Sequence, residues 1–105
     1  MKKQILIVDD NVATLKQIGA LLAGSYDFSL YKSGAEAVDF CRRFTPDLVL
    51  LDVEMPQMNG FETLAELKSN PAMIGVPVIF LTGNIDAATE IRALESGAMD
   101  FIKKP

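Results

Sequence analysis

Apolar residues fall along this chain in two alternating rhythms. Three short runs, Ile5-Leu6-Ile7-Val8, Leu48-Val49-Leu50-Leu51 and Val78-Ile79-Phe80-Leu81, are continuous and uninterrupted. That is how strands read when both faces of a parallel sheet are covered. Between the runs, apolar positions recur at three- and four-residue spacing, as in Val12, Leu15, Ile18 and Leu22, which is the period of a helix with one inward face. The pattern predicts strands at Gln4–Val8, Phe28–Tyr31, Leu48–Leu51, Val78–Leu81 and Ala98–Ile102, the second weakly alternating and therefore outermost. It predicts helices at Asn11–Ala23, Ser33–Arg43, Phe61–Lys68 and Asp86–Glu95. Phe61, Leu64 and Leu67 share one helix face, and Ala88, Ile91 and Leu94 are read as inward.

The punctuation agrees with these bounds. Asn11, Ser33 and Asp86 can accept the free N–H groups of a first helical turn. Ser33-Gly34-Ala35-Glu36 matches a capping box. Gly24 and Gly97 suit helix ends that need a positive φ, and Pro71 and Pro77 bracket a loop. Strict alternation of strand and helix implies right-handed crossovers into one parallel sheet with helices on both faces. The expected class is α/β, a doubly wound five-stranded parallel sheet in a three-layer sandwich. At 105 residues the chain is one small domain, with no internal repeat and no linker-like tract.

In such sheets ligands bind beyond the carboxyl ends of the strands. Here those ends carry Asp9-Asp10, Asp52, Thr82 and Lys103-Lys104-Pro105. Two carboxylates about 4 Å apart repel by about 4 kcal/mol at an effective dielectric near 20, and a third makes it worse. With no histidine in the chain, three acids suit a hard divalent ion, Mg²⁺ first and Mn²⁺ as its substitute. An acidic pair alone is an ordinary turn; Asp52 on a second strand is what raises the metal reading above it. Thr82 can hydrogen-bond a phosphoryl oxygen or simply end a strand. Lys104 can pair with a carboxylate or phosphate, or be a solvated lysine. Phe101 reads first as a core aromatic. Pro105 fixes the turn after Lys104 and admits a cis bond.

Charge narrows the partners. The net charge is −4, and the basic residues come as isolated pairs such as Lys2-Lys3, Arg42-Arg43 and Lys103-Lys104. No basic stripe exists for a nucleic acid. The apolar run after Met1-Lys2-Lys3 is too short for an export signal or a membrane span, so a cytoplasmic protein is expected. The single Cys41 excludes an intramolecular disulfide and sits in a helical apolar pattern, as a packed thiol does. No glycine-rich nucleotide fingerprint occurs.

The set Asp9-Asp10, Asp52, Thr82 and Lys104-Pro105 resembles the receiver domain of two-component response regulators, CheY-like in fold. Met55-Pro56 with Asn59-Gly60 and the run Gly97-Ala98-Met99-Asp100-Phe101-Ile102-Lys103-Lys104-Pro105 extend the likeness over essentially the whole chain. Each motif is weak alone; five in the right order are specific. The resemblance implies that Asp52 accepts a phosphoryl group from a phosphohistidine on a sensor histidine kinase or phosphotransfer protein. It implies that Asp10 and Asp52 ligate Mg²⁺ directly, that Asp9 acts mostly through water, and that the main-chain carbonyl of Glu54 completes the ligands. Thr82 and Lys104 would contact phosphoryl oxygens, and Phe101 would be the rotating aromatic that reports phosphorylation. Glu54 and Asn84 occupy the positions that tune phosphate lifetime.

Receivers usually continue past the Lys-Pro pair into a fifth helix, whereas this sequence stops at Pro105. The expectation is a receiver, residues 1–105, that is a fragment of a longer protein, with the uncovered apolar face driving self-association and the effector left unspecified. A pseudo-receiver scaffold, unphosphorylated, is the alternative; the intact Asp9-Asp10, Asp52, Thr82 and Lys104 argue against it. Two enzyme readings fit less well. An aspartate-nucleophile phosphatase wants a second aspartate where Glu54 stands, and a flavin site wants a hydroxyl- and glycine-rich loop where Asp9-Asp10-Asn11 stands.

Overall fold

The computed structural model of the chain describes residues 2–83 and 86–104. Five strands, β1 (Gln4–Val8), β2 (Asp27–Tyr31), β3 (Leu48–Asp52), β4 (Val78–Thr82) and β5 (Asp100–Lys103), form one parallel sheet in the order β2-β1-β3-β4-β5. The helices are α1 (Val12–Leu22), α2 (Gly34–Arg43), α3 (Gly60–Lys68) and α4 (Ala87–Glu95). This is the flavodoxin-like strand order, whose switch point lies between β1 and β3. The sheet ends at Lys103, and no fifth helix lies among the described residues.

The continuous runs become the central strands because the sheet has apolar neighbours on both sides. Leu6, Val8, Val49, Leu51 and Phe80 face the α2–α3 side with Leu64 and Leu67, while Ile5, Ile7, Leu50 and Leu81 face α1 through Leu15 and Ile18. Phe80 has no exposed surface and tilts against Phe61 of α3, with ring centroids 5.0 Å apart. Among the described residues no helix is long and apolar enough to cross a membrane.

The caps behave largely as read. Asn11 accepts from the amides of Ala13 and Thr14, and Asp86 from that of Thr89. Gly24 and Gly97 take φ of 87° and 92°. Ser33 accepts from the Glu36 amide at 3.2 Å, but Glu36 takes the Ser33 hydroxyl rather than returning to the cap backbone. The reciprocal capping box sits instead at Asn59 and Glu62.

Four sequence-based expectations are corrected. Ile91 and Leu94 are each 55 % exposed and Ala88 is exposed; Ala93 is the buried contact of α4. The buried position of α4 falls to the small Ala93, which joins the α2–α3 side of the core, and the bulky Ile91 and Leu94 are left in solvent. Val12 is 46 % exposed at the start of α1. The loop between Pro71 and Pro77 opens with a one-turn 3₁₀ helix, Pro71–Met73, capped by Asn70. The last strand begins at Asp100 rather than Ala98, because the Met99 amide already bonds the Val78 carbonyl and the ladder proper starts one residue later.

Replacing Phe80 by alanine should cost about 3–5 kcal/mol, whereas Leu21→Ala at a 77 % exposed position should stay within about 0.5 kcal/mol. Urea unfolding of the two variants measures the difference.

Candidate functional site

Strand ends at the switch point collect the acids. Asp9 follows β1, and its amide donates to the Tyr31 carbonyl at 3.1 Å, which carries the chain one step beyond the strand. The following Asn11 amide donates to Asp9 Oδ1 at 2.9 Å and turns that carboxylate over the sheet edge. Asp52 is the last residue of β3, and the Glu54 amide approaches its Oδ1 at 3.4 Å. Asp9 and Asp52 are 0 % and 1 % exposed, while Asp10 is open to solvent. Each of the three offers a carboxylate oxygen within 4.8 Å of the others. Adjacent acids that would point apart on a strand therefore do converge once the strand has ended.

Lys104 closes the cluster from the far side of the sheet. Its backbone amide donates to the Thr82 carbonyl at 2.9 Å, which fixes where the side chain starts. Its Nζ lies 2.9 Å from Asp52 Oδ1 and 3.0 Å from Asp9 Oδ2. The contact with Asp9 is an ion pair out of hydrogen-bond alignment, since Asp9 Oδ2 and Asp52 Oδ2 are buried without a hydrogen-bond partner. Two orphaned carboxylate oxygens facing a third acid form an all-oxygen donor set, the kind a hard divalent ion selects. The residues present thus fit Mg²⁺ or Mn²⁺.

Electrostatics follow from this burial. Desolvation drives the Asp52 carboxyl up to about 7; the bond from Lys104 opposes it and the charge of Asp9 reinforces it. Burial pulls Lys104 down, but the nearby carboxylates of Asp52 and Asp9 outweigh that, and the net shift is upward. Away from the site, burial pushes the Cys41 thiol up to about 11, consistent with an inert packed thiol.

Thr82 ends β4, is 3 % exposed and lies in register with Lys103. Phe101 is half-buried on β5, opposite Phe80, and packs against the α2–α3 side of the core. Glu54 is exposed just beyond Asp52. Asn84 and Pro105, singled out in the sequence, lie outside the described residues.

Three structural roles went unassigned in the sequence reading. Gly60 lets α3 begin directly against β3: its amide donates to the Val53 carbonyl at 2.8 Å, and a Cβ there would collide with the Asp52 carbonyl oxygen. The Asn59-Gly60 pair was visible, but a distance of closest approach is not. Gln57 takes φ 67° in a three-residue turn closed by Met58 N to Pro56 O at 2.7 Å; only a glycine there would have signalled it. Arg92 lies 4.1 Å over the Phe61 ring, beside a cavity of about 600 Å³ between α4 and the loop after Asp52.

Residues 5–105 match the family model of the response regulator receiver domain. The chain belongs to that family. It is 40 % identical over 101 residues to a probable cyclic di-GMP phosphodiesterase of Vibrio cholerae, covering 96 % of this chain and 23 % of that protein. It is 37 % identical over 106 residues to the DNA-binding response regulator MtrA of Mycolicibacterium paratuberculosis, covering 100 % of this chain and 46 % of that protein. The Mn²⁺-bound form of response regulator Rcp1 superposes with a TM-score of 0.88 at 28 % identity, over 98 % of this chain and 81 % of that one. The receiver thus spans less than half the length of these curated relatives. Receiver domains of this family are two-component signalling switches.

A carboxyl raised in the fold stabilises the fold only while protonated. The Asp52 contribution is complete below its unfolded value near 4 and is lost as pH rises through about 7, on the order of 4 kcal/mol at its fullest. Metal-free receiver should therefore melt higher at pH 5 than at pH 8. Asp52→Asn should flatten that difference and raise the melting temperature at pH 8, both read by thermal scans in chelator.

Proposed function

We propose that this receiver accepts a phosphoryl group on Asp52 from a phosphohistidine of a sensor histidine kinase or phosphotransfer protein, in a Mg²⁺-dependent reaction. The observation that carries the reading is the buried Oδ2 of Asp52, which has no hydrogen-bond partner while Oδ1 of the same carboxylate pairs with Lys104, in a cluster with Asp9 and Asp10. That the related Rcp1 structure is a Mn²⁺-bound form supports a divalent ion in this chain. Asp9, Asp10 and Asp52 would hold it with the main-chain carbonyl of Glu54. The ion supplies positive charge that lets an anionic carboxylate approach an anionic phosphoryl group.

The chain's own residues do the rest. Asp52 must be ionised, and Lys104 favours that form. Its free oxygen attacks phosphorus in line; the new P–O bond forms as the P–N bond breaks, and the imidazole leaves with the electron pair. Such a transfer needs positioning and charge stabilisation more than proton chemistry. Lys104, already within 3.0 Å of both buried acids, would shift to a phosphoryl oxygen. The Thr82 hydroxyl would bond another, and its inward movement would give Phe101 room to turn. A local charge then biases a two-state element. Glu54 and Asn84 would set the lifetime of the acyl phosphate. On this reading the receiver works in the cytoplasm, where its phosphodonor would reside.

Intact mass after incubation with acetyl phosphate and Mg²⁺ tests this. Wild type should gain about 80 Da, chelator and Asp52→Asn should each abolish the gain, and Glu54→Ala should alter its decay. A folded wild type that gains nothing would instead support the pseudo-receiver reading.

We also propose self-association through the sheet face that a fifth helix would cover, on the α1 side, where Ile102 of β5 lies in register with Leu81 and is 45 % exposed. Sedimentation over a wide concentration range should show a reversible larger species; a strict monomer throughout would refute it.

A further inference from the structure

A second concave surface lies at the opposite end of the strands from the acids. A groove of about 270 Å³ runs between the end of α3, the loop after the 3₁₀ turn and the α4–β5 connection. Its floor includes Leu64, Leu67, Met73 and Val78, which are 1, 2, 4 and 6 % exposed. Ile74 and Met99 stand at its rim, 76 % and 67 % exposed. The backbone that shapes it is pinned: the Met99 amide donates to the Val78 carbonyl at 2.9 Å and the Val76 amide to the Met73 carbonyl at 3.1 Å. A groove held this way costs little ordering when something binds.

Lys68 is the one charged residue among those lining it. It forms no ion pair among the described residues. Its side chain lies across Gly97, where a Cβ would come 2.6 Å from Nζ and 2.7 Å from Cε. The glycine therefore does two things: its φ of 92° ends α4, and its missing side chain leaves room for the ammonium at the groove. An apolar floor with a single convergent cation asks for an apolar group joined to an acid. Large exposed rim residues ask for a body bigger than the groove itself, because a ligand that fits inside 270 Å³ would leave Ile74 and Met99 in water.

We propose that this groove docks a segment of a partner polypeptide that presents an aliphatic side chain next to a carboxylate. The aliphatic group would lie over Leu64 and Met73 between the Ile74 and Met99 rims, and the carboxylate would pair with Lys68 Nζ. This surface does not depend on the phosphotransfer reading, since the groove and Asp52 lie at opposite ends of the sheet.

Amide NMR titration of the whole chain tests it, with the capped tripeptide acetyl-Leu-Glu-Leu-amide as probe. Shifts should be confined to residues near Lys68, Ile74 and Gly97–Met99. The lysine counterpart, acetyl-Leu-Lys-Leu-amide, should bind about two- to fivefold more weakly, the worth of an exposed ion pair. In Lys68→Glu, an exposed change whose amide spectrum checks folding, that preference should reverse. No shifts in the groove, or equal binding of the two peptides, would overturn the proposal. Tighter binding of octanoate than of the tripeptide would overturn it too, in favour of a small-molecule site.

Discussion

Lys104 is the piece on which the acidic cluster depends. Two carboxylates withdrawn from water on adjacent strands repel each other in a medium that screens poorly, and leaving either without a counter-charge is costly. One ammonium, within 3.0 Å of both, lets them coexist. The same contact holds the sheet edge. β5 is short, and its residues are exposed or only half-buried, so apolar packing alone anchors it weakly. The amide of Lys104 on the Thr82 carbonyl and its ammonium on Asp9 and Asp52 tie that edge to the central strands. Electrostatics at the site and attachment of the last strand are thus one interaction seen from two sides.

Around this pair the loop after Asp52 is built for rigidity. Gly60 brings α3 against the Asp52 carbonyl, Asn59 and Glu62 cap each other, and Gln57 accepts a φ of 67° to close the turn between them. A non-glycine residue held there stores backbone strain, which surrounding contacts must over-determine. From this loop the first residues of α3 lead to Phe61, whose ring touches Phe80 on one side and the Arg92 guanidinium on the other. Helices α3 and α4 and strand β4 therefore share a contact through a single aromatic ring.

The sequence made most of this architecture legible, for identifiable reasons. Ile5–Val8, Leu48–Leu51 and Val78–Leu81 can be little else than covered strands, and their acidic or hydroxylic ends converge because all parallel strands end on one side. Asp9, Asp10, Asp52 and Lys104 could be brought together from order alone. What stayed hidden was set by close approach and by competition between neighbours. Ile91 and Leu94 have the period of an inward face, yet the helix meets the core through Ala93 and leaves both of them exposed. Glu36 has the spacing of a capping box, yet its carboxylate is taken by the Ser33 hydroxyl. The strain at Gln57 and the stack of Arg92 on Phe61 leave no pattern in a linear string.

The strand order has a bearing on when in its life the chain becomes able to signal. Asp9 comes from the first strand, Asp52 from the third, and Lys104 follows the last, so no early or local fragment holds the three charges together. Pairings this distant in sequence are among the slowest parts of folding, and the cluster closes only when β5 has docked. A nascent or partly unfolded copy has scattered, solvated aspartates of no special reactivity. Because the three charges meet only in the finished sheet, the acidic cluster is itself a mark that the sheet has been completed.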